Sequence, residues 1–458
     1  MRPVLTPAEM ADVDARAPES TDVLVGRAGS AVAAVARSML GGTYGRHVVV
    51  VAGKGNNGAD GRVAAGLLRR RGVRVTELST DALPGRLPSS DLVIDAAFGT
   101  GFRGSWSPPA PHAPVLAVDL PSGVDGSSGV ASGAPWRADR TVTFGAFKPG
   151  LCFADGRELA GAVEVHEIGL DCSAADIWLV EDSDVSGGWP RRRTHAHKWN
   201  QAVWVIGGSP GMTGAPALAA SAAMRSGAGY VRLSVPGASV STVGATGPRE
   251  AVTEPLPMVG WDVAVLERLG RFGSLVLGPG LGRSDAARSA VLALVGRSTV
   301  PIVLDGDALW ALASVSGPIA SAAPVVITPH DGEYTQLCGH PPGQDRIAAA
   351  RQLARERNVV VLLKGPTTVV ATAAGEVTLV MSGDQRLATA GTGDVLSGVI
   401  GALVAGGLDL ARAAALGAQV HGLAGCRGPV IGTVASDVVT AIPAVLGRLV
   451  DPAGRSDG

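Results

Sequence analysis

The feature that most constrains this chain is an alternation of short, β-branched apolar runs with longer helical stretches, sustained along most of its length. HVVVVAG (47–53) is followed by GRVAAGLLRRRG, then by VRVTEL, DLVIDAAFG, VLAVDLPSG, TVTFG and AVEVHEIGL. Strands that are apolar on both faces and separated by crossovers belong in a parallel sheet covered on both sides. In such a sheet ligands gather at the C-terminal strand ends. From about Cys172 to Lys198 the pattern breaks into Asp, Ser, Gly, Pro and RRRTHAHK, the best linker candidate. A second alternation begins at QAVWVIGGSPGMTGAPALAASAAMRSGAGY. It runs through SLVLGPGLG, PIVLDGDAL, PVVITPHDGE and VVVLLKGPTTVV to a helix opening at GTGDVLSG. The halves share a class without a detectable repeat. The expectation is two α/β domains, residues 1–180 and 190–450.

At 458 residues the chain is too long for one ordinary core, and 46% apolar against 17% charged residues is enough to fill buried sheets. Only 4% of residues are aromatic while 64 are Gly, a mix suited to close helix-on-sheet packing and to ligand loops. A net charge of -1 gives no electrostatic case for nucleic acid or an anionic membrane. Cys152, Cys172, Cys338 and Cys426 form no CxxC pair, which points to reduced thiols in a cytoplasmic protein. MRPVLTPAEMADVDARAPES has no apolar core and does not read as a secretory signal. The longest apolar run, Val395 to Leu408, is shorter than the ~20 residues of a membrane span and reads as a buried helix. A soluble homo-oligomer acting on small molecules is expected.

GKGNNGADG (53–61) joins a strand to a helix. Its glycines let a ligand approach the backbone, and the helix start offers N–H groups to a phosphate; a tight turn is the plainer alternative. Three more loops fall at strand ends: IDAAFGTGFRG (94–104), AVDLPSGVDG (117–126) and FGAFKPG (144–150). The spacing NNGAD, DAAFGTGFRG, VDLPSGVDG, FKPGL resembles the nicotinamide hydrate epimerase domain, also called the YjeF N-terminal domain, over roughly residues 1–180. The resemblance implies a Rossmann-like three-layer sandwich. It also implies that Asn56, Asn57, Gly58, Ala59 and Asp60, with Gly99, Thr100, Gly101, Phe102, Arg103, Gly104 and Ser105, hold the phosphates and sugars of a hydrated cofactor. Asp119 would contact the damaged ring, and Asn57, Asp95 and Ser122 would offer hard oxygens to K+. Asp119 is the acid–base candidate, protonating the C6 hydroxyl so that the ring nitrogen expels water, which returns on the other face. A turn residue capping the PSG loop is its alternative reading. Two features differ from the family pattern. Ala59 stands where Gly is usual, and only SWSPPAPHAP separates GTGFRG from VLAVDL, close to the dozen or so residues a parallel crossover needs. Trp106 loosely matches an aromatic position after that loop.

GTGD (391–394) opens a long apolar helix, where glycine N–H groups form an anion hole and Asp394 can accept a proton from an attacking hydroxyl. KGPTT (364–368), TPHDGE (328–333) and GPGLG (278–282) also follow strands, and a helix begins after GMTGAP (211–216). Together these resemble the ADP-dependent hydrate dehydratase domain, or YjeF C-terminal domain, from about residue 190 to 450, with a ribokinase-like α/β fold. The resemblance implies that Ala215, Gly280, His330 and Asp394 contact the hydrated cofactor, while Lys364, Gly365, Pro366, Thr367, Thr368 and Gly393 bind ADP. It also implies Mg2+ for the transferring phosphoryl group. His330 has a second reading, as a helix cap. KWNQA (198–202) replaces glycines common in the family around the first strand.

The expected function is repair of NADHX and NADPHX: epimerisation in the first domain and ADP-dependent dehydration in the second. A ribokinase-class small-molecule kinase with an N-terminal ligand-binding domain would use the same GTGD and KGPTT, and a non-enzymatic scaffold is the third reading. Arg191, Arg192 and Arg193, with His195 and His197, suggest either a phosphate or metal patch or a solvated linker, and the linker is the expectation.

Overall fold

The computed structural model describes residues 1–450. The chain divides into two compact units, Arg2–Trp178 and a second that begins at Leu179.

The first unit is built on strands β1 (His47–Ala52), β2 (Arg74–Ser79), β3 (Leu92–Ala96), β4 (Val115–Val118), β5 (Arg140–Phe144) and β6 (Ala162–His166). They form a 6-stranded, all-parallel sheet in the order β2-β1-β3-β4-β5-β6. Alternate valines of β1 supply both faces. Val48 and Val50 join one apolar cluster and Val49 and Val51 another, as a sheet covered on both sides demands. Helices α1 (Pro7–Arg16), α2 (Thr21–Leu40) and α3 (Asn56–Arg70) belong to this unit. Among the described residues α2 is the one helix long and apolar enough to cross a membrane by composition; here Leu24, Ala28, Val32 and Val35 bury into the first cluster.

The connection from β3 to β4 contains no helix. Its loop covers the second face directly: Trp106 is 8% exposed and meets Phe98 edge-on at 5.0 Å, and Trp136 Nε1 donates to Pro109 O at 2.9 Å. The Pro-rich segment therefore closes the sandwich with aromatic rings in place of a crossover helix.

The second unit carries β7 (Ala202–Ile206), β8 (Tyr230–Ser234), β9 (Ser274–Leu277), β10 (Ile302–Leu304), β11 (Val325–Ile327), β12 (Val360–Leu363), β13 (Thr368–Ala371) and β14 (Val377–Val380). Their order is β14-β13-β12-β11-β10-β9-β7-β8, with Val252–Thr253 outside β8. Strands β7 to β12 are parallel, whereas β12-β13-β14 are antiparallel, because the short turns at 364–367 and 372–376 each reverse the chain. Helices α4 (Gly214–Arg225), α5 (Asp331–Cys338), α6 (Thr392–Ala405), α7 (Leu410–Gly425) and α8 (Ala435–Val450) frame the site in this unit. Nearly every residue of α6 is buried. Gly398 lets it approach α4 so closely that a Cβ there would collide with Ala219 O.

Part of the expected linker is ordered and packed. Strand Ile177–Leu179 and helix Asp182–Gly188 occupy it, Val180 N donates to Leu379 O at 3.0 Å, and Val185 and Trp189 are buried. The apolar spacing of these few residues was hidden among Asp, Ser and Gly. The boundary between the two compact units falls at 178/179.

Candidate active site

Each sheet presents loops at its C-terminal strand ends, beside the point where strand order reverses: β1/β3 in the first unit and β7/β9 in the second.

In the first unit the turn after β1 leads straight into α3. Its N-cap, Gly55, contributes no side chain, which leaves the first-turn N–H groups available to a ligand. Asn56, Asn57, Gly58, Ala59 and Asp60 form that turn. Asn57 is 9% exposed, and both its Nδ2 and Oδ1 are buried without a hydrogen-bond partner. A Cβ on Gly99 would lie 3.1 Å from Asp119 Oδ2 and 3.5 Å from Asn57 Cγ, so these three residues converge. Asp95 is buried at the end of β3; Ser122 Oγ donates to its Oδ1 at 2.6 Å and Ser122 N to its Oδ2 at 2.9 Å. Ser122 Oγ also accepts from Phe98 N at 2.9 Å, tying the β3 and β4 loops together. Burial pushes the Asp95 carboxyl up, against the lowering effect of its Ser122 bonds.

Asp119 has φ 67, a left-handed backbone that a non-glycine residue adopts only when its surroundings impose it. The imposing contacts are Asp119 N to Val142 O at 2.6 Å and an ion pair from Oδ1 to Lys148 Nζ at 2.7 Å. Lys148 is 2% exposed and also donates to Thr143 Oγ1 at 2.8 Å and Phe144 O at 3.0 Å. Thr143 Oγ1 in turn donates to Asp119 Oδ1 at 3.1 Å. Asp14 comes to this cluster from α1, a helix fixed by Pro7 and the Thr6–Glu9 capping box. Burial, then Asp119, then Asp14 push the Asp60 carboxyl up to about 8. Its Oδ1 is buried and unpartnered. Lys148, Thr143 and Asp14 were not singled out from sequence; a lysine inside the apolar loop FGAFKPG was the available signal.

The remaining loop residues separate. Gly99 faces the converging group, Thr100 instead packs near Gly126, where a Cβ would reach 3.5 Å from Thr100 Cα, and Gly101 borders open space. Phe102 packs on Phe98 at 5.0 Å, and Arg103 folds back to donate to Phe102 O at 2.7 Å. Gly104 and Ser105 lead away toward Gly133, where Trp106 exchanges backbone hydrogen bonds with Ser132 and Ala134.

In the second unit α6 begins at Gly391 in the left-handed region (φ 92), again a cap with no side-chain acceptor. A Cβ on Gly393 would lie 3.2 Å from Lys364 Nζ and 3.7 Å from Asp305 Oδ2. Lys364, immediately after β12, pairs with Asp305 Oδ1 at 2.9 Å and lies 3.6 Å from Glu333 Oε2. Burial opposes the Lys364 charge, but Asp305 and Glu333 outweigh it and hold the ammonium above its ordinary range. Burial, then Asp305, push the Asp394 carboxyl up to about 7, with Lys364 pulling the other way. Thr328 Oγ1 donates to Asp305 Oδ1 at 2.7 Å. Asp305 and Glu333, absent from the sequence-based candidates, thus organise the group; both lay in quoted motifs, DGDAL and TPHDGE.

Arg346 locks the KGPTT turn by donating to Lys364 O at 2.7 Å and crowding the open side of Gly365. Pro366 follows, Thr367 is buried and Thr368 opens β13. Ala215, in the first turn of α4, meets Gly280 across the β7 and β9 loops, with 3.2 Å from its Cβ to a Cβ on Gly280. His330 caps α5: its Nδ1 accepts from Gly332 N at 3.0 Å and Glu333 N at 3.2 Å, leaving Nε2 on the solvent side, 3.6 Å from Glu333 Oε2. The helix-cap reading of His330 is what the structure shows, and a cap formed by Nδ1 leaves Nε2 exposed.

The model of the NAD(P)H-hydrate dehydratase family matches residues 203–438. That of the YjeF-related protein N-terminus matches residues 21–84 and 76–150. The bifunctional NAD(P)H-hydrate repair enzyme of Moorella thermoacetica is 36% identical over 92% of this chain and 92% of its own. The chain belongs to the bifunctional NAD(P)H-hydrate repair enzyme family. Its member from Mycobacterium tuberculosis is 40% identical over 82% of each chain. Among solved structures, the ADP/ATP-dependent NAD(P)H-hydrate dehydratase of Bacillus subtilis, crystallised with ATP and Mg2+, is 27% identical with TM-score 0.52, covering 59% of this chain and 98% of that one. A ribokinase-like superfamily protein from Enterococcus faecalis (22% identical, TM-score 0.54, 60% of this chain and 96% of that one) shares the fold.

Proposed function

We propose that this chain restores hydrated NADH and NADPH, interconverting the R and S hydrates in its first unit and dehydrating the S form in its second with ADP, giving AMP and phosphate. The observation that carries the reading is the Asp394 carboxyl, pushed to about 7 at the N-terminus of α6 and flanked by the Lys364 ammonium. A base with that pKa is half ionised at neutral pH, where general-base efficiency is greatest.

In the second unit Asp394 takes the proton of the C6 hydroxyl, whose oxygen attacks the β-phosphorus of ADP as AMP departs. The phosphorylated oxygen then leaves as phosphate, expelled by the ring-nitrogen lone pair, and loss of a proton from the adjacent ring carbon restores the reduced ring. Lys364 and the N–H groups of Gly391 and Gly393 at the start of α6 take the phosphate charge. Asp305, Glu333 and Asp394 surround one lysine, and no group of three or more His, Cys, Asp or Glu among the described residues is spaced to hold a metal alone, so Mg2+ would come in with the nucleotide's phosphates, as Mg2+ usually does. When bound, Mg2+ offsets charge on the transferring phosphoryl group.

In the first unit two carboxyls divide the work. Asp60 keeps its proton at neutral pH and donates it to the departing hydroxyl. Asp119, fixed by Lys148 and Thr143, receives the proton of the returning water. The unpartnered Asn57 Oδ1, with Asp95 and Ser122, fits a K+ site of hard oxygens, which would supply a fixed positive charge beside the loops.

The test mixes purified protein with both epimers of hydrated NADH and NADPH and follows reduced-nicotinamide absorbance with ADP, ATP or no nucleotide. Complete recovery with ADP is expected. A halt at the S share, after subtracting spontaneous epimerisation, removes the epimerase assignment; no recovery with either nucleotide removes the reading altogether.

A further inference from the structure

The motif RRRTHAHK takes no part in either reaction. Most of it lines, with Asn200, Gln201, Gly229 and Gly406, a cavity of about 220 Å³. Asn200 and Gln201 immediately precede β7, and Gly229 immediately precedes β8. The cavity therefore lies at the N-terminal ends of β7 and β8, a full strand length from the C-terminal strand ends where the loops of the candidate site gather.

Its charge is one-sided. Arg191, Arg192, Arg193, His195 and His197 line it, and no carboxylate does. Among the described residues none of the three arginines has an acidic partner within ion-pair distance. Arg192 donates to Gly227 O at 3.1 Å and Ala228 O at 2.8 Å, and Arg191 donates to Val450 O. These neutral acceptors anchor the segment without cancelling its charge. His197 and Asn200 brace it further through a reciprocal cap, His197 N to Asn200 Oδ1 at 2.7 Å. The Arg193 and His195 side chains make no hydrogen bond or ion pair among the described residues.

A metal is the poorer occupant, because adjacent guanidinium groups repel a cation and no cluster of three or more His, Cys, Asp or Glu suited to a metal occurs among the described residues. Guanidinium forks match phosphate oxygens bidentately. A backbone fixed in advance lowers the ordering cost of binding. The space exceeds what one orthophosphate fills.

We propose that this groove is a second anion site, separate from both catalytic clefts, which binds a small molecule carrying a diphosphate. Free diphosphate and a nucleoside diphosphate share the recognised group, and titrating with each separates them. The full chain is titrated calorimetrically with pyrophosphate and, separately, with ADP, at low ionic strength. It is compared with a variant carrying Arg193→Gln and His195→Gln, the two side chains with no described partner. Wild type is expected to show one more pyrophosphate site per chain than the variant, or that site at least tenfold weaker in the variant, as loss of a charge-assisted bond implies. An extra site in the ADP titration as well assigns a nucleoside diphosphate; its absence assigns the free diphosphate. The variant should keep wild-type melting temperature and ADP-dependent dehydration, which separates the groove from the nucleotide turn. Pyrophosphate and ADP isotherms identical in the two proteins overturn the proposal, as does a variant whose dehydration falls in step with its anion binding.

Discussion

At the scale of single residues, the two sites are built from carboxyls whose surroundings set their protons apart. Asp394 sits between burial with Asp305, which raise it, and Lys364, which lowers it. Dehydration should therefore rise with pH through an apparent pKa near 7. Asp394→Asn should lower its rate by about 10²–10⁴-fold, the usual worth of a positioned base. A variant keeping a tenth of the wild-type rate would remove Asp394 from that role. Asp60 gives a stability prediction. Its carboxyl stays protonated in the folded chain up to about pH 8 but ionises near pH 4 once unfolded. Between those values the unfolded state binds fewer protons, so folding stability falls as pH rises. Asp60→Asn removes that loss. Urea unfolding should show the variant more stable by on the order of 2 kcal/mol at pH 8.5 and little changed at pH 4. Equal differences at both pH values would mean that Asp60 is not held protonated. Lys148→Met leaves the half-buried Asp119 without its cation, and should destabilise the first unit by about 3 kcal/mol in urea unfolding.

At the scale of elements, what could be read from the sequence depended on how local the signal was. Both sheets, α3 and α6 were legible because β-branched runs and Gly-rich turns carry their own conformational preference. NNGAD, GTGFRG, GTGD and KGPTT stood out for the same reason, since a ligand loop declares itself by its glycines. Lys148, Asp305 and Glu333 did not, because their importance is an ion pair made across strands, as between Lys364 just after β12 and Asp305 after β10. Sequence separation hides such partners. The antiparallel β13–β14 end and the ordered 177–189 segment were missed for a different reason: each is too short for periodicity to show. The connection between β3 and β4 shows that a crossover can do without its helix when aromatic rings seal the sheet. Trp106→Ala should therefore cost about 3 kcal/mol in the first unit, a typical value for truncating a buried aromatic. Differential scanning calorimetry should show that unit melting earlier while ADP-dependent dehydration is retained. An unchanged melting profile would mean that the loop folds without its ring.

At the scale of the whole molecule, the two carboxyl groups belong to separate compact units, each with its own sheet, core and ligand loops. Among the described residues, the groups that hold each proposed catalytic carboxyl belong to its own unit. Asp119 needs Lys148 and Thr143, and Asp394 needs Lys364, Asp305 and Glu333. If both steps act on a hydrate free to leave one unit and enter the other, the activities must complement between chains. Asp119→Asn alone should convert only the S share of a mixed hydrate preparation in the presence of ADP, and then creep at the spontaneous rate. Asp394→Asn alone should interconvert the epimers and release no reduced cofactor. An equimolar mixture of the two variants should recover all of it, at a rate that falls when either variant is diluted out. Recovery by the mixture that still halts at the S share would mean that the epimerised hydrate does not pass through solution. Full recovery by Asp119→Asn on its own would place the epimerising proton transfer on Asp60 or Asp14, the other two carboxyls of that cluster.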